Sequence, residues 1–192
     1  MIVISGGQTG ADLAGLWAAK LCGIKTGGFA PKNWKTQSGS KPTLGSSFGL
    51  VESTGGYKKR TIENVQAADL TLIFASNPSS PGTKLTIQAC REHLIPCHLT
   101  LLESSQQLDE MVDPLVNLIK KAIQLSSHEE PAINIAGNSS TSSPIAFPAT
   151  FKLLYKVFQR LSSVQDSTDV DQLEIILRDN YEVSLQDLPI FK

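Results

Sequence analysis

Short apolar segments, rich in β-branched residues, alternate along this chain with segments of helical periodicity. The segment LTLIFA is almost continuously apolar, which is typical of a strand in a parallel sheet covered on both faces. Two neighbouring parallel strands need a long crossover between them, usually a helix. The alternation therefore predicts an α/β fold with a mostly parallel sheet. Its five predicted strands lie at residues 1–5, 24–29, 70–75, 95–102 and 132–137.

The segments between these strands, and the one after the last of them, have apolar residues at helical spacing. They predict helices at residues 11–22, 57–69, 83–94, 109–125 and 147–161.

Two stretches do not follow the alternation. Residues 30–56 are rich in Gly, Ser, Lys and Pro, and a connector of that length is typical of a binding loop or lid, or of a disordered segment. Residues 162–192 are acidic and begin with a polar linker. We expect a ligand-binding domain at 1–161 and a C-terminal extension at 162–192, with one helix at Val170–Leu177 that docks on the core or on a neighbouring subunit.

The composition narrows the classes of partner. The 192 residues carry a formal net charge of −1, which argues against a nucleic-acid partner. No apolar run reaches the roughly 18 residues of a membrane span, and residues 1–30 lack a basic segment followed by a long apolar stretch and a cleavage site, so we expect a cytoplasmic protein that does not bind membranes. Three cysteines form no C-x-x-C pair and no metal-ligand spacing with the three histidines. We expect buried free thiols and no metal site.

Charge is distributed unevenly along the chain. Residues 1–102 contain ten Lys and Arg against five Asp and Glu, whereas residues 103–192 contain seven against thirteen. The basic half is also the glycine-rich half, so it is the half that suits an anionic small ligand.

Four loops of unusual composition follow predicted strands, at the edge of the sheet where α/β proteins bind ligands. Glycines and hydroxyl residues dominate GGQTGAD, GGFAPKNWK, NPSSPGTKLT and IAGNSSTSS. The first leads into a helix N-terminus, whose free N–H groups and dipole favour an anion. It matches neither the dinucleotide nor the P-loop pattern, so it is either a phosphate cradle or only a tight strand-to-helix turn. The four loops together are a stronger indication of a ligand site than any one.

Catalytic groups are few at this edge. Asp12, Glu52 and Glu63 are the candidate acids and bases, and Asp12 could equally cap the first helix. We interpret His93 and His98 as structural. No Ser-His-Asp order is present, and we assign no catalytic residue.

Five motifs resemble one family. The segments ISGGQTGADLAGLWAAKLCGI, GGFAPK, YKKRTIENVQAADLTLIFA, SPGTKLTIQAC and INIAGN of this chain resemble motifs of the molybdenum carrier family, in the order and approximate spacing of that family, over about residues 1–140. That family is similar to the Rossmann-like nucleotide-binding superfamily of the lonely-guy phosphoribohydrolases and DprA-like proteins. The resemblance implies a Rossmann-like three-layer sandwich, a homo-oligomer (dimer or tetramer), and a phosphorylated ligand at the strand ends. In the carrier branch that ligand is the molybdenum cofactor.

The resemblance also bears on catalysis. The lonely-guy hydrolases use an arginine, which Arg60 matches, and a glutamate in a P-G-G-x-G-T-x-x-E turn, whose position falls on Thr86. Threonine cannot act as a base or stabilise an oxocarbenium-like centre at neutral pH. The resemblance therefore implies that binding survives and that hydrolysis by this route does not.

The chain departs from the carrier pattern in three loops. Leu13 stands where a basic residue is usual, Ala30 where cysteine is common, and NSSTSSP from Asn138 where a charged run is usual. Because hydroxyls replace charges while the glycines stay, we expect retained phosphate binding with an altered ligand.

The predicted function is therefore a binding protein for a phosphorylated nucleotide-like or pterin ligand, with a nucleotide or the molybdenum cofactor as candidate ligands. Two alternatives remain open: sequestration of a signalling nucleotide, cyclic or derived from ADP-ribose, and a nucleoside-phosphate N-glycosidase with a relocated acid, Glu63 or Asp12.

Each part of the predicted site has a role. A glycine turn holds one phosphate, the third loop forms the opposite wall, and Arg60 and Lys32 neutralise charge. The predicted site residues are Gly6, Gly7, Gln8, Thr9, Gly10, Asp12, Gly28, Lys32, Arg60, Asn64, Ser80, Gly82, Thr83 and Asn138.

Overall fold

A computed structural model describes residues 1–102 and 105–162 of the chain. Nine strands, seven α-helices and one short 3₁₀ helix (Lys32–Trp34) are present in this part. The strands are β1 (Ile2–Ser5), β2 (Lys25–Gly27), β3 (Phe29–Ala30), β4 (Lys35–Thr36), β5 (Gly39–Ser40), β6 (Val51–Glu52), β7 (Leu70–Ala75), β8 (Cys97–Leu101) and β9 (Ala132–Gly137). The helices are α1 (Ala11–Leu21), α2 (Thr43–Phe48), α3 (Tyr57–Gln66), α4 (Pro81–Glu92), α5 (Ser105–Glu110), α6 (Val112–Leu125) and α7 (Ala146–Ser162).

Five parallel strands form the central sheet, in the order β2-β1-β9-β7-β8. The last strand of the chain, β9, lies in the middle, and the pairs Ser5↔Ile135 and Phe74↔Gly137 bring the carboxyl ends of β1, β9 and β7 side by side. From β1 the chain moves outward to β2, and from β7 it moves outward to β8 in the opposite direction. Such a switch point leaves a crevice at the carboxyl ends of the strands.

Helices cover both faces of the sheet. On one face α1, α6 and α7 bury the larger core, to which the sheet contributes residues such as Leu72, Phe74 and Ile135. On the other face α3 packs against α4 over a smaller cluster of Val65, Ala89 and Cys90. This is the predicted Rossmann-like three-layer α/β sandwich, with a last described helix that belongs to the larger core.

The predicted second strand, 24–29, is divided by a turn. Gly28 has φ +113°, and a Cβ there would lie 2.4 Å from the Ser5 carbonyl oxygen, so only glycine fits. Beyond this turn β3 leaves the central sheet and pairs with β6 instead. The prediction of one continuous strand was wrong because a backbone turn that glycine permits is invisible in the apolar pattern.

The predicted loop or lid at 30–56 is a folded lobe with short strands and one helix. Leu44, Phe48 and Leu50 are buried in the larger core, and the Phe48 ring packs edge-on against Trp17 of α1 at 4.9 Å. The lobe is thus attached by apolar contacts, and the alternative of a disordered segment was wrong.

Other boundaries differ by a few residues. The predicted helix 109–125 is two helices, α5 and α6, that meet at Met111. The helix α4 begins at Pro81 because the Ser80 hydroxyl accepts the Thr83 amide as an N-cap and proline suits the first helical position. The predicted helix Val170–Leu177 lies outside the described residues, and the division at residue 161 stays a prediction.

Cys22 and Cys90 are buried free thiols, but Cys97 is exposed. The prediction of three buried thiols was wrong for Cys97 because β8 is an edge strand of the sheet. None of the helices in the described part of the chain has the length and apolar character needed to cross a membrane.

Candidate functional site

A cleft of about 320 Å³ lies at the carboxyl ends of the central strands. The first turn of α1, the helices α3 and α4, and the loop after β9 form its walls. Its lining residues are Gln8, Asp12, Gln37, Tyr57, Arg60, Thr61, Ser80, Pro81, Gly82, Leu85, Thr86, Ala136, Gly137, Ser139 and Ser142. Five predicted site residues are therefore on its surface: Gln8, Asp12, Arg60, Ser80 and Gly82.

A buried ion pair joins two of these residues across the cleft. Nη1 of Arg60 donates to Oδ2 of Asp12 at 3.1 Å, and the Gln8 amide donates to the same oxygen at 3.2 Å. Asp12 is only 5% exposed and Arg60 only 8%. The pair connects the first turn of α1 to the middle of α3, two elements 48 residues apart, so only the tertiary fold brings it together.

Burial is the largest influence on the Asp12 carboxyl, and it raises its pKa above the ordinary value. The charge of Arg60 and the Gln8 amide lower the pKa and offset part of that rise. Arg60 itself has an unsatisfied group, since its Nε is buried with no hydrogen-bond partner. A buried donor without a partner is costly in a folded protein.

The glycines of the first loop are required by close packing. A Cβ on Gly6 would lie 1.7 Å from Nη1 of Arg60, and one on Gly10, where φ is +88°, would lie 2.3 Å from the Asn138 carbonyl oxygen. Gly7 has φ +68° and packs beneath Leu44. These glycines thus have a structural reason to be present, and their contact with a phosphate stays a prediction.

Two amides of the same loop are already bonded to protein. The Gln8 amide donates to Asp12, and the Ala11 amide donates to the Asn138 carbonyl oxygen at 3.0 Å. The hydroxyl of Thr9 donates to Oε1 of Gln37 at 3.1 Å. The loop is consequently fixed on several sides before any ligand arrives.

Asn138 ties the loops after β7 and β9 together. Its Nδ2 donates to the Asn77 carbonyl oxygen and the Ser80 hydroxyl, both at 3.1 Å, and to the Thr83 hydroxyl at 3.2 Å. Its Oδ1 accepts the Asn77 amide at 2.9 Å. Asn138 and Thr83 are fully buried, so they lie behind the cleft wall and position the start of α4.

Asn64 and Gly28 serve the framework in a similar way. Asn64 Oδ1 accepts the Phe29 amide and its Nδ2 donates to the Phe29 carbonyl oxygen, both at 2.9 Å. These bonds hold β3 against α3, and Gly28 gives the chain room to pass Ser5. Lys32 is exposed on the lobe and lies outside the cleft lining.

The folded lobe supplies a cleft residue that the sequence did not indicate. Gln8 donates from Nε2 to the Lys35 carbonyl oxygen at 2.9 Å and accepts the Gln37 amide on Oε1 at 3.2 Å. These bonds bring Gln37, between β4 and β5, to the cleft wall. A Gln in a polar loop carries no sequence signal of such a role.

Sequence reasoning also missed lining residues on regular elements. Tyr57 and Thr61 lie on the same side of α3 as Arg60. Tyr57 is three residues before Arg60 and four before Thr61, a spacing that places residues on one helix face and that could have indicated both. Ser139 and Ser142 belong to the hydroxyl-rich loop after β9, and their hydroxyls bond each other at 2.9 Å.

Of the three candidate acids, only Asp12 reaches the cleft. Glu63 lies in a separate surface groove along α3, and Glu52 accepts the Asn33 amide on the lobe. Thr86, at the glutamate position of the phosphoribohydrolases, lines the cleft and donates to the Gly82 carbonyl oxygen at 3.1 Å. Residues 1–102 and 105–162 contain no cluster of three or more His, Cys, Asp or Glu side chains that could hold a metal ion.

Comparisons with known proteins agree with this architecture. The model of the Circularly permutated YpsA SLOG family matches residues 3–158. A crystal structure of a "Putative molybdenum carrier protein" from Syntrophus aciditrophicus SB is 33% identical, with a TM-score of 0.66, over 82% of this chain and 93% of that one. No curated protein matches the chain.

Proposed function

Because this chain belongs to the Circularly permutated YpsA SLOG family, we propose that its cleft binds a phosphorylated nucleotide-like or pterin ligand. The observation that carries the proposal is Arg60: a buried cation on the cleft wall whose Nε has no partner in the described structure. A buried guanidinium is suited to a phosphate because its planar donors match the phosphate oxygens.

The phosphate end of the site lies between Arg60 and the start of α4. Pro81 and Gly82 are the first two residues of this 12-residue helix, and the positive end of the helix dipole favours a negative group there. Ser139 and Ser142 offer hydroxyls on the adjoining wall. In this arrangement Gly82 and Arg60 contact the phosphate, while Thr83 and Asn138 keep the helix start in place.

The cleft also offers surfaces for a planar ring. Tyr57, one turn before Arg60 on α3, is 40% exposed, and Leu85 of α4 lines the same cleft, so an aromatic and an aliphatic surface are available for stacking. The cleft volume is at the lower end of the range of about 300–1,000 Å³ for small-molecule sites. We therefore propose one nucleotide-sized ligand.

The name of the Syntrophus aciditrophicus protein is the reason to keep a pterin phosphate, as in the molybdenum cofactor, among the candidates. In this proposal the cleft would take the phosphate and the ring of such a molecule. Its described walls carry oxygen donors and no thiol or imidazole. The hydroxyls and amides that dominate the walls favour a signalling nucleotide at least as well, because they suit ribose and base edges.

One observation favours a second candidate function. Asp12 combines burial, a raised pKa and a place on the cleft wall, which is the setting of a general acid or base. In a nucleoside-phosphate N-glycosidase it would activate the water that attacks the anomeric carbon as the bond to the base breaks. We propose this activity as the alternative to binding alone.

Isothermal titration of the full chain with AMP and ADP-ribose tests the proposal. Arg60→Ala is expected to weaken binding by about tenfold or more, since a charge-assisted bond contributes about 1.5–3 kcal/mol. That variant leaves the Asp12 carboxylate buried without its partner, which could destabilise the fold. The double variant Asp12→Asn with Arg60→Gln removes both charges of the pair, so it distinguishes a loss of affinity from a loss of folding. The matched control is Lys59→Ala, an exposed neighbour on the same helix, with unchanged affinity expected.

Unchanged affinity in both Arg60 variants would contradict the proposed site. Chromatography of the same mixtures detects free adenine, whose release would favour the glycosidase over binding alone. Native mass spectrometry of gently purified protein identifies any ligand that co-purifies. It also counts the chains, for which we propose a cytoplasmic homo-oligomer.

A further inference from the structure

The proposed cleft has a nearly neutral interior. Among its described lining residues, Asp12 and Arg60 are the one carboxylic acid and the one basic side chain, and they pair with each other. The remaining polar walls are hydroxyls and side-chain amides. A ligand made only of charged phosphates would therefore contact a single positive side chain, Arg60, whose charge is already partly neutralised by Asp12.

The two oxygens of that carboxylate differ. Oδ2 accepts from Nη1 of Arg60 and from the Gln8 amide. No donor of the described residues completes a hydrogen bond to Oδ1, and Oδ1 is not among the atoms shut off from solvent. The Gly6 amide also interacts with the carboxylate and lowers its pKa. Because each carboxylate oxygen accepts more than one hydrogen bond, Oδ1 keeps acceptor capacity in a residue that lines the cleft.

Phosphate oxygen is the wrong group for this position, because two negative oxygens in contact repel each other strongly in a partly buried site. Guanine and pterins present two adjacent N–H donors, which bind both oxygens of a carboxylate at once. Oδ2 of Asp12 already accepts two bonds from the protein, so such an edge does not suit this carboxylate. The other polar groups nearby do not compete for the role, because the Gln8 side-chain amide bonds the Lys35 carbonyl oxygen and the Gln37 amide. A single O–H donor fits one free oxygen.

We infer that Asp12 Oδ1 accepts a sugar hydroxyl of the ligand, so that the cleft selects a ribose phosphate over its deoxy counterpart and over a ligand read by its base edge. This inference rests on the proposed function. In it Arg60 faces the phosphate and Asp12 faces the hydroxyl, and their mutual bond holds both groups at fixed orientation.

The test is isothermal titration of the full chain with AMP, 2′-deoxy-AMP and 3′-deoxy-AMP, with GMP and neopterin phosphate as base-edge probes. One of the deoxy compounds is expected to bind about tenfold or more weakly than AMP, because a hydrogen bond to a charged acceptor is lost. In Asp12→Asn, which keeps the size of the side chain, this difference is expected to shrink below about threefold, since the acceptor is no longer charged.

The outcomes separate the inference from the proposed function. Equal affinity for AMP and both deoxy compounds would overturn the inference and leave the proposed function intact. A preference for AMP over the deoxy compounds that persists in full in Asp12→Asn would overturn the role of Asp12. So would tenfold tighter binding of GMP or neopterin phosphate than of AMP, if Asp12→Asn abolishes that difference. Absence of binding by every probe would overturn both. If Asp12→Asn does not fold, the affinities of the wild-type protein for AMP and the two deoxy compounds still test the inference.

Discussion

Two glycine-containing loops of similar composition have different roles in this protein. In the loop after β1, Gly6 packs against the Arg60 guanidinium and Gly10 against the Asn138 carbonyl oxygen. In the loop after β7, a Cβ on Gly82 would meet nothing within 4 Å, and this glycine lies on the cleft wall. A glycine at a strand end can therefore permit close packing of the backbone, or it can leave the backbone accessible to a ligand. The composition of the loop does not distinguish these two roles.

We expect the largest effect from a substitution that disrupts the loop after β1, compared with the same substitution in the loop after β7. Gly10→Ala forces a side chain into a φ of +88° and against the Asn138 carbonyl oxygen, so we expect the free energy of unfolding to fall by at least about 2 kcal/mol. The matched control, Gly82→Ala, places a methyl group in open space in the first turn of α4 and is expected to change it by less than about 0.5 kcal/mol. Urea denaturation measures both. Equal losses would refute the distinction.

An intermediate effect is expected from the residue that links the two loops. Asn138→Ala removes four hydrogen bonds of a fully buried side chain and leaves the Asn77 amide without its acceptor. We expect a loss of about 1–3 kcal/mol in the free energy of unfolding. Asn77→Ala is the control, because among the described residues its exposed side chain bonds the Ser79 amide alone. A smaller loss for Asn138→Ala than for the control would show that the link is dispensable.

The smallest effect concerns the protonation of Asp12. Its pKa is raised in the folded protein, chiefly by burial, so the folded state holds the proton more tightly than the unfolded chain does. Stability from this group is therefore full below the ordinary carboxyl pKa of 3.8 and falls as the pH rises through the higher folded pKa. Asp12→Asn removes this titration.

The free energy of unfolding of the wild type relative to Asp12→Asn is thus expected to decline with rising pH across that window. Urea denaturation at a series of pH values from 4 to 8 measures the difference. A difference that stays constant, or one that grows in favour of the wild type as the pH rises, would contradict a raised pKa.

The central sheet was predictable from the sequence because its strands are short, apolar and separated by helical segments. LTLIFA became β7 within the predicted bounds, and AINIAG became β9. The lobe at 30–56 was not predictable, because its few buried residues, such as Leu44 and Phe48, are scattered among polar ones. Strand β3 leaves the central sheet at Gly28, a turn that an apolar pattern does not register.

The site was predictable only in part. The motifs indicated Asp12, Arg60 and Gly82, which do line the cleft. They also indicated Asn64 and Asn138, whose side chains are bonded within the protein. Gln37 could not have been found, because three bonds of its loop bring it to the cleft, two with the Gln8 side chain and one with the Thr9 hydroxyl.

The α/β sandwich and the edge of the sheet where a ligand would bind follow from the sequence, because both depend on local apolar periodicity and on where the strands end. The use of each polar group at that edge follows from the three-dimensional arrangement alone. The Asp12 and Arg60 pair joins residues far apart in the chain, and the Asn138 bonds fix two loops at once. Hydrogen-bond partners depend on distances and angles in space, and those arise only when the whole sheet is assembled.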